Sequence, residues 1–329
     1  MTIQEIFNSF STLKVAVLGD IMLDTYCWGN IERISPEAPV PIVALEKEEY
    51  RIGGAGNVAL NLTALGANVD VFSVSGDDVQ AKTLLKLMSE KNIGTENIIK
   101  ISQRPTTNKM RIIARNQQVM RLDSEVTTDI NEGLVNELLE KLSSYIAQKQ
   151  PQLLILEDYN KGVLTKSLIE KSIALAKANN VIVTVDPKHK NFFAYQNADI
   201  FKPNLKEVKE ALHISQDKID AGSLSAIHQS LREKLQHQIS FITLSEKGVF
   251  FQQKDNLPQI IPAKIRNIAD VSGAGDTVIA VLSAVYTITG NILFAAEIAN
   301  IAGGLVCETV GTVAIDKEQL LKECSILNL

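Results

Sequence analysis

Apolar residues fall in short uninterrupted blocks separated by stretches of helical spacing, and those blocks set the reading of the fold. Lys14-Val-Ala-Val-Leu-Gly-Asp20 reads as a buried strand ending in Gly-Asp, where a parallel strand opens toward a site. Further strands are predicted at Val69 to Val74, Leu153 to Leu156, Val181 to Val185, Ile200 to Lys202 and Ser240 to Leu244. Helices are predicted over Asn57 to Leu65 and Asp78 to Lys91, and between the later strands. Such alternation predicts an α/β fold with a mostly parallel, doubly wound sheet, whose ligands bind beyond the carboxyl ends of the strands.

Two segments break the pattern. Residues 36–52 carry three prolines and a short alternating run from Val40 to Leu45, which suits a separate edge sheet. Thr106 to Asp123 alternates like a β-hairpin. The segments at about 38–48 and 106–123 are expected to pair into a small accessory sheet on one single domain, 1–329. No internal repeat and no low-complexity stretch is found.

Composition narrows the classes. The 329 residues are 45% hydrophobic and 22% charged, enough for a sizeable core and far from a disordered composition. A net charge of −5 argues against nucleic acid or an anionic membrane as the main partner. Cys27, Cys307 and Cys324 lie far apart, so neither a disulfide framework nor a zinc site is indicated. With no signal-peptide pattern and no run long enough to span a membrane, a soluble cytoplasmic protein is expected.

The most informative stretch is Asp270-Val-Ser-Gly-Ala-Gly-Asp276, which opens the apolar run Val278 to Val285. Gly273, Ala274 and Gly275 would turn tightly into a helix whose first N–H groups form an anion pocket suited to a transferring phosphoryl group. Asp276 at that end could accept a hydroxyl proton. The same spacing also reads as an aspartate cap after a glycine turn.

Asn204 and Glu207, three apart, could position a Mg²⁺-bound phosphate through water, or form a capping box; both readings can hold at once. Gly53-Gly-Ala-Gly-Asn57 enters a helix after an irregular segment, which disfavours a dinucleotide fingerprint. A glycine turn bringing Asn57 near a polyol fits better, with Asn57 as a plain cap the alternative. Lys109, Arg111 and Arg115 share one strand face, which would attract a phosphorylated substrate or simply be solvated. Asp20 and Asp24 could accept hydrogen bonds from sugar hydroxyls, or be turn residues. Thr243 to Gly248 reads as a hairpin turn or a nucleotide contact. The four histidines show no metal or triad spacing.

Taken in order, Gly19-Asp20 with Asp24, then Gly53, Gly54 and Asn57, then Asn204 with Glu207, then Asp270 to Asp276 resemble the ribokinase-like (PfkB) sugar kinases. Ser272 stands where that family usually has Thr, and keeps the hydroxyl. The resemblance implies a ribokinase-like fold with a β lid, often a dimer contact, and ATP with Mg²⁺ as cofactors. It implies Asp276 as general base, backbone amides at Gly273, Ala274 and Gly275 around the phosphoryl group, and Asn204 and Glu207 organising Mg·ATP. Thr243, Gly248 and Asn300 would lie near the nucleotide, and Asp24, Gly53, Gly54 and Asn57 would hold the sugar.

Within the family, Arg33-Ile-Ser-Pro-Glu-Ala-Pro-Val-Pro41, Arg115-Asn-Gln-Gln118, Arg121-Leu-Asp123, Glu157-Asp-Tyr-Asn-Lys-Gly162 and Asp186-Pro-Lys188 resemble the heptose 7-phosphate kinases. So does the spacing from the glycine pair to Asn57, one residue shorter than in ribokinase. That implies phosphorylation of the anomeric hydroxyl of D-glycero-β-D-manno-heptose 7-phosphate, for ADP-heptose and lipopolysaccharide synthesis. Lys109, Arg111 and Lys188 are candidates for the 7-phosphate. Many such kinases carry a C-terminal nucleotidyltransferase with an H-x-G-H motif; nothing after Leu244 contains histidine, so a standalone kinase is expected. Rival readings are a kinase for another acceptor, a non-catalytic sugar- or nucleotide-binding regulator, and, more distantly, a dehydrogenase.

Overall fold

The computed structural model describes residues 1–115, 117–215 and 220–327. Asn116, part of the Arg115 to Gln118 motif, lies outside the described residues. Thirteen strands are described: β1 (Lys14–Gly19), β2 (Ile21–Ile34), β3 (Pro41–Gly54), β4 (Asn68–Gly76), β5 (Ile98–Ile101), β6 (Asn108–Ala114), β7 (Gln117–Ser124), β8 (Leu153–Glu157), β9 (Ile182–Asp186), β10 (Ile200–Phe201), β11 (Ile239–Thr243), β12 (Val249–Gln253) and β13 (Gln259–Ile261). The helices are α1 (Ile3–Ser9), α2 (Ala55–Leu65), α3 (Val79–Glu90), α4 (Glu132–Lys149), α5 (Lys166–Ala178), α6 (Leu205–Ala211), α7 (Ala221–Leu235), α8 (Ala274–Thr289), α9 (Ile292–Val306) and α10 (Lys317–Ile326).

Nine strands form one sheet in the order β13-β12-β11-β10-β9-β8-β1-β4-β5, parallel except for the antiparallel edge of β12 and β13. Strands covered on both faces read as unbroken apolar runs, because successive side chains enter opposite cores. Val15, Val17, Leu153 and Ile155 pack into the core shared with α2, α8 and α9. Ala16, Leu18, Leu154 and Leu156 enter the other core, with α4, α5 and α7. Asp276 to Val285 of α8 are all buried, as befits a helix that is apolar all round.

The second sheet has four strands in the order β3-β2-β6-β7. It is broader than segments 38–48 and 106–123. Its central strand β2 was not expected from the pattern, and β3 runs on to Gly54, so the glycine pair belongs to a strand end. The physical reason is burial: Ile21 to Cys27 are buried without interruption, which erases the alternation of a half-exposed strand. Across this sheet Asp24 pairs with Lys109 and Arg51, and Tyr26 with Arg111. No helix among the described residues is long and apolar enough to cross a membrane.

Candidate active site

The parallel strands deliver polar side chains at one edge. Glu157 closes β8, Asp186 closes β9, Lys202 follows β10 and Thr243 closes β11. In an open sheet of this type that edge is where ligands bind. The amino end of α8 meets it.

Gly273 caps α8 with φ +79°, a left-handed conformation that favours glycine, and no side chain caps the helix. Asp276 is therefore the third residue of the helix and does not serve as its cap. Its buried carboxylate instead accepts hydrogen bonds from Asn57 Nδ2 at 2.7 Å and the Tyr159 hydroxyl at 2.6 Å. Burial raises the Asp276 pKa to about 6; the bonds from Tyr159 and Asn57 pull it down, Asp186 pushes it up and Lys202 again lowers it. A carboxylate so placed is ionised at neutral pH yet basic enough to take a proton. The loop ahead of the helix is braced by Asp270, which accepts from the Ser272 N–H and hydroxyl and from the Gly311 N–H. Ser272 thus makes the bond its hydroxyl permits.

A Cβ on Gly273 would stand 2.8 Å from Asn57 Nδ2 and 3.1 Å from Thr312 Cγ2. Gly273→Ala is expected to cost about 1–2 kcal/mol of stability through its backbone conformation. It should also lower turnover at least tenfold by displacing the Asn57 amide from Asp276. Urea unfolding and steady-state kinetics check both parts, and unchanged turnover would remove the link between this turn and the carboxylate.

Asn57 lies within α2 and is not its cap. Asp24 is buried on β2 and pairs with Arg111 at 2.5 Å, and the Arg111 guanidinium lies 5.0 Å from the Tyr26 ring centroid. Gly53 leaves room for this arrangement, since a Cβ there would sit 2.6 Å from Asp24 Oδ2. Asp20 takes the turn role: its carboxylate accepts the N–H groups of Tyr159, Lys161 and Val163. It is a loop clamp.

Asn204 and Glu207 form both reciprocal bonds of a capping box at α6. The other Glu207 oxygen accepts from Lys188 Nζ at 2.7 Å, and Lys188 also lies 3.7 Å from Asp186. Burial disfavours the Lys188 charge, but Asp186 and Glu207 outweigh it and raise its pKa. Lys188 accordingly belongs with these carboxylates and not with Lys109 and Arg111 on β6. Thr243 forms a backbone bridge with Asn204. Gly248 packs against the backbone of Ile261 to Ala263, and Asn300 Nδ2 donates to the Pro262 carbonyl at 2.9 Å. Both brace the segment that leads into Asp270.

Several residues of the site carried no role in the sequence reading. Tyr159 and Asp186 sat inside quoted motifs without one; Glu157 and Lys202 were equally silent. Glu157 is buried with neither carboxyl oxygen hydrogen-bonded among the described residues. Burial, then Asp186 and Asp276, raise its pKa well above the carboxylate range. Lys202 and Asp186 form a buried ion pair at 2.6 Å. The available signal was position, since each lies at or just past the end of an apolar run.

Comparisons with known proteins identify the family. A family model described as pfkB family carbohydrate kinase matches residues 12–319. Bifunctional protein HldE of Aliarcobacter butzleri is 42% identical over 315 residues, covering 96% of this chain and 65% of that protein. Bifunctional protein HldE of Helicobacter pylori (strain P12) is 39% identical over 307 residues, covering 93% and 66%. The chain thus spans about two-thirds of the length of these curated relatives. Phosphofructokinase-2 from Escherichia coli, in complex with potassium, superposes with a TM-score of 0.78 at 15% identity, over 96% of this chain and 100% of that one. Arabidopsis thaliana ribokinase, complexed with ribose and ATP, gives 0.73 at 15% identity, over 94% and 99%. At such identity the structures speak for the fold alone. With the family match spanning nearly the whole chain and Asp276 at the amino end of α8, the protein belongs to the pfkB family of carbohydrate kinases.

Proposed function

We propose that this kinase transfers the γ-phosphoryl group of ATP to the anomeric hydroxyl of D-glycero-β-D-manno-heptose 7-phosphate, giving the 1,7-bisphosphate. The observation that carries the chemistry is the buried Asp276 carboxylate, held by two donors at the amino end of α8. The choice of acceptor is supported by about 40% identity to proteins named HldE, together with the segments Arg33 to Pro41 and Arg115 to Asp123.

Asp276 takes the proton of the C1 hydroxyl as its oxygen bonds to the γ-phosphorus, and the bond to the bridging oxygen of ADP breaks. Backbone N–H groups of Gly273, Gly275 and Asp276 face the charge that develops on the phosphoryl oxygens, while that of Ala274 donates to the Val271 carbonyl at 3.3 Å. The Asp186 and Glu207 carboxylates are hard oxygen donors suited to Mg²⁺, and both Glu207 oxygens already hold a hydrogen bond. Asn204, Glu207 and Asp186 would therefore hold the ion through water, where it neutralises phosphate charge. Thr243, Gly248 and Asn300 border the nucleotide, and Asp24, Gly53, Gly54 and Asn57 hold the sugar.

The four-stranded sheet acts as the lid, and closing it excludes water from the transfer. Tyr50, Met120 and Leu122 are exposed on it, and a second copy packing on that apolar surface would make the homodimer.

Of the three candidates for the 7-phosphate, Arg111 is paired with Asp24 and Lys188 with Glu207. Lys109 makes no ion pair among the described residues, and burial followed by the like charge of Lys161 lowers its pKa. An unpaired, half-buried ammonium is completed by an anion. Lys109→Met should raise KM for heptose 7-phosphate about tenfold to hundredfold, the worth of a charged hydrogen bond. KM for ATP should stay within about twofold, because the nucleotide lies on the α8 side. An unchanged acceptor KM would move the phosphate elsewhere.

The acceptor itself is settled by coupled ADP release across sugar 7-, 6- and 1-phosphates with unphosphorylated controls. Heptose 7-phosphate should give the highest kcat/KM. A higher value with another sugar phosphate would overturn this choice while leaving the kinase chemistry in place.

A further inference from the structure

The segment between β8 and α5 is held more tightly than a connecting loop requires. Asp20 accepts N–H groups of Tyr159, Lys161 and Val163 at 2.9, 3.0 and 3.1 Å, so three amides converge on one buried carboxylate. Asp158 accepts the Asn160 N–H at 2.7 Å and the Tyr195 hydroxyl at 2.7 Å. Asn160 completes the turn with φ +53°, a conformation that asparagine tolerates. Between these clamps one side chain reaches across to the helix that carries the reaction. It is Tyr159.

We propose that Tyr159 is a positioning residue for phosphoryl transfer, its hydroxyl fixing one oxygen of Asp276 so that the carboxylate faces the acceptor's proton. The inference rests on the reading of Asp276 as the general base. Tyr159 donates to Oδ1 and Asn57 to Oδ2, so two donors on two oxygens set the plane of the carboxylate. Each oxygen keeps a further lone pair, which leaves the base able to receive a proton. The ring is steadied from its other side by Lys188, whose ammonium lies 5.5 Å from the centroid and is itself tied to Glu207.

The phenol stays a donor. Burial raises its pKa, and the neighbouring Asp276 and Glu157 carboxylates raise it further. It gives up no proton during turnover. The charged groups that bear on Asp276 are Glu157 at the end of β8, Asp186 at the end of β9 and Lys202 after β10, while Lys188 acts on Asp186 and Glu157. Against that background the Tyr159 hydrogen bond is the largest influence opposing burial. Losing it leaves a buried carboxylate short of a donor and shifts Asp276 toward its protonated form.

Tyr159→Phe removes the hydroxyl and keeps the ring. Carboxyl ¹³C NMR of the whole protein labelled at aspartate, with the Asp276 resonance identified by its loss in Asp276→Asn, reads the titration without any acceptor. The midpoint should rise by at least half a pH unit in Tyr159→Phe. In coupled ADP release with the acceptor that the wild type turns over fastest, the acid limb of kcat/KM should move up by the same amount. Turnover at pH 6 should fall at least about twofold through that shift and recover at pH 8.5.

An unmoved midpoint, or a loss of turnover equal at all pH values, overturns the role of Tyr159. Activity retained by Asp276→Asn overturns the general base instead, so the two failures are distinguishable. Thermal unfolding of Tyr159→Phe close to the wild type separates the effect from misfolding.

Discussion

Asp276→Asn should lose about 10²–10⁴ in kcat, the range attributable to a positioned general base, while binding ATP as tightly as the parent. The substitution preserves size, and the side chain can still meet the Tyr159 hydroxyl and the Asn57 amide within the same buried site. What disappears is the ability to take a proton. The start of α8 and the capping box at α6, proposed to face the nucleotide, remain, so nucleotide affinity should stay within about threefold by calorimetry. Residual turnover above about one-tenth of the parent would remove Asp276 from the base role.

A pH profile gives the same assignment a second check. The Asp276 pKa is raised to about 6, chiefly by burial, and a general base acts in its ionised form. Activity is therefore expected to be full well above that value and to fall as pH drops through it. Ordinary exposed aspartate, at about 3.9, would show no such limb in the neutral range.

How much of this was legible depends on the range of the interactions. Six strands of the main sheet, β1, β4, β8, β9, β10 and β11, could be read because burial on both faces leaves unbroken apolar runs, and each was placed within a residue or two; the edge strands β5, β12 and β13 were not read. The same physics hid β2: buried from Ile21 to Cys27, it offers no alternation and follows β1 after a single residue. The capping box of Asn204 and Glu207 could be read because it is local, three residues closing on themselves.

The environment of Asp276 could not. Its donors come from 219 and 117 residues away, and no spacing rule reaches that far. The surroundings of Lys188 were hidden for a related reason. As a lone cation in the sequence it fitted an anionic ligand, but the fold supplies Asp186 and Glu207 as its partners.

Lys202→Met is expected to destabilise the protein by about 3 kcal/mol, because it leaves the buried Asp186 charge with only Lys188, 3.7 Å away, as a partner. Lys202 and Asp186 are both buried and 2.6 Å apart at the carboxyl edge of the sheet. The attraction within such a pair roughly balances the cost of taking both charges out of water, so removing one side exposes that cost. Denaturant unfolding should show the loss as a lower midpoint. The double variant Asp186→Asn/Lys202→Met should recover more than half of it, since the poorly compensated charge is gone.

A second readout comes from catalysis, because Lys202 lowers the Asp276 pKa. The acid limb of kcat/KM in Lys202→Met should therefore move upward, in the same direction as in Tyr159→Phe but by loss of a charge and not of a hydrogen bond. High salt should leave the Tyr159→Phe shift unchanged and also spare most of the Lys202→Met shift, since buried charges are weakly screened. A single variant within about 1 kcal/mol of the parent would mean that water reaches the pair, and that the edge of the sheet is less dry than its burial indicates.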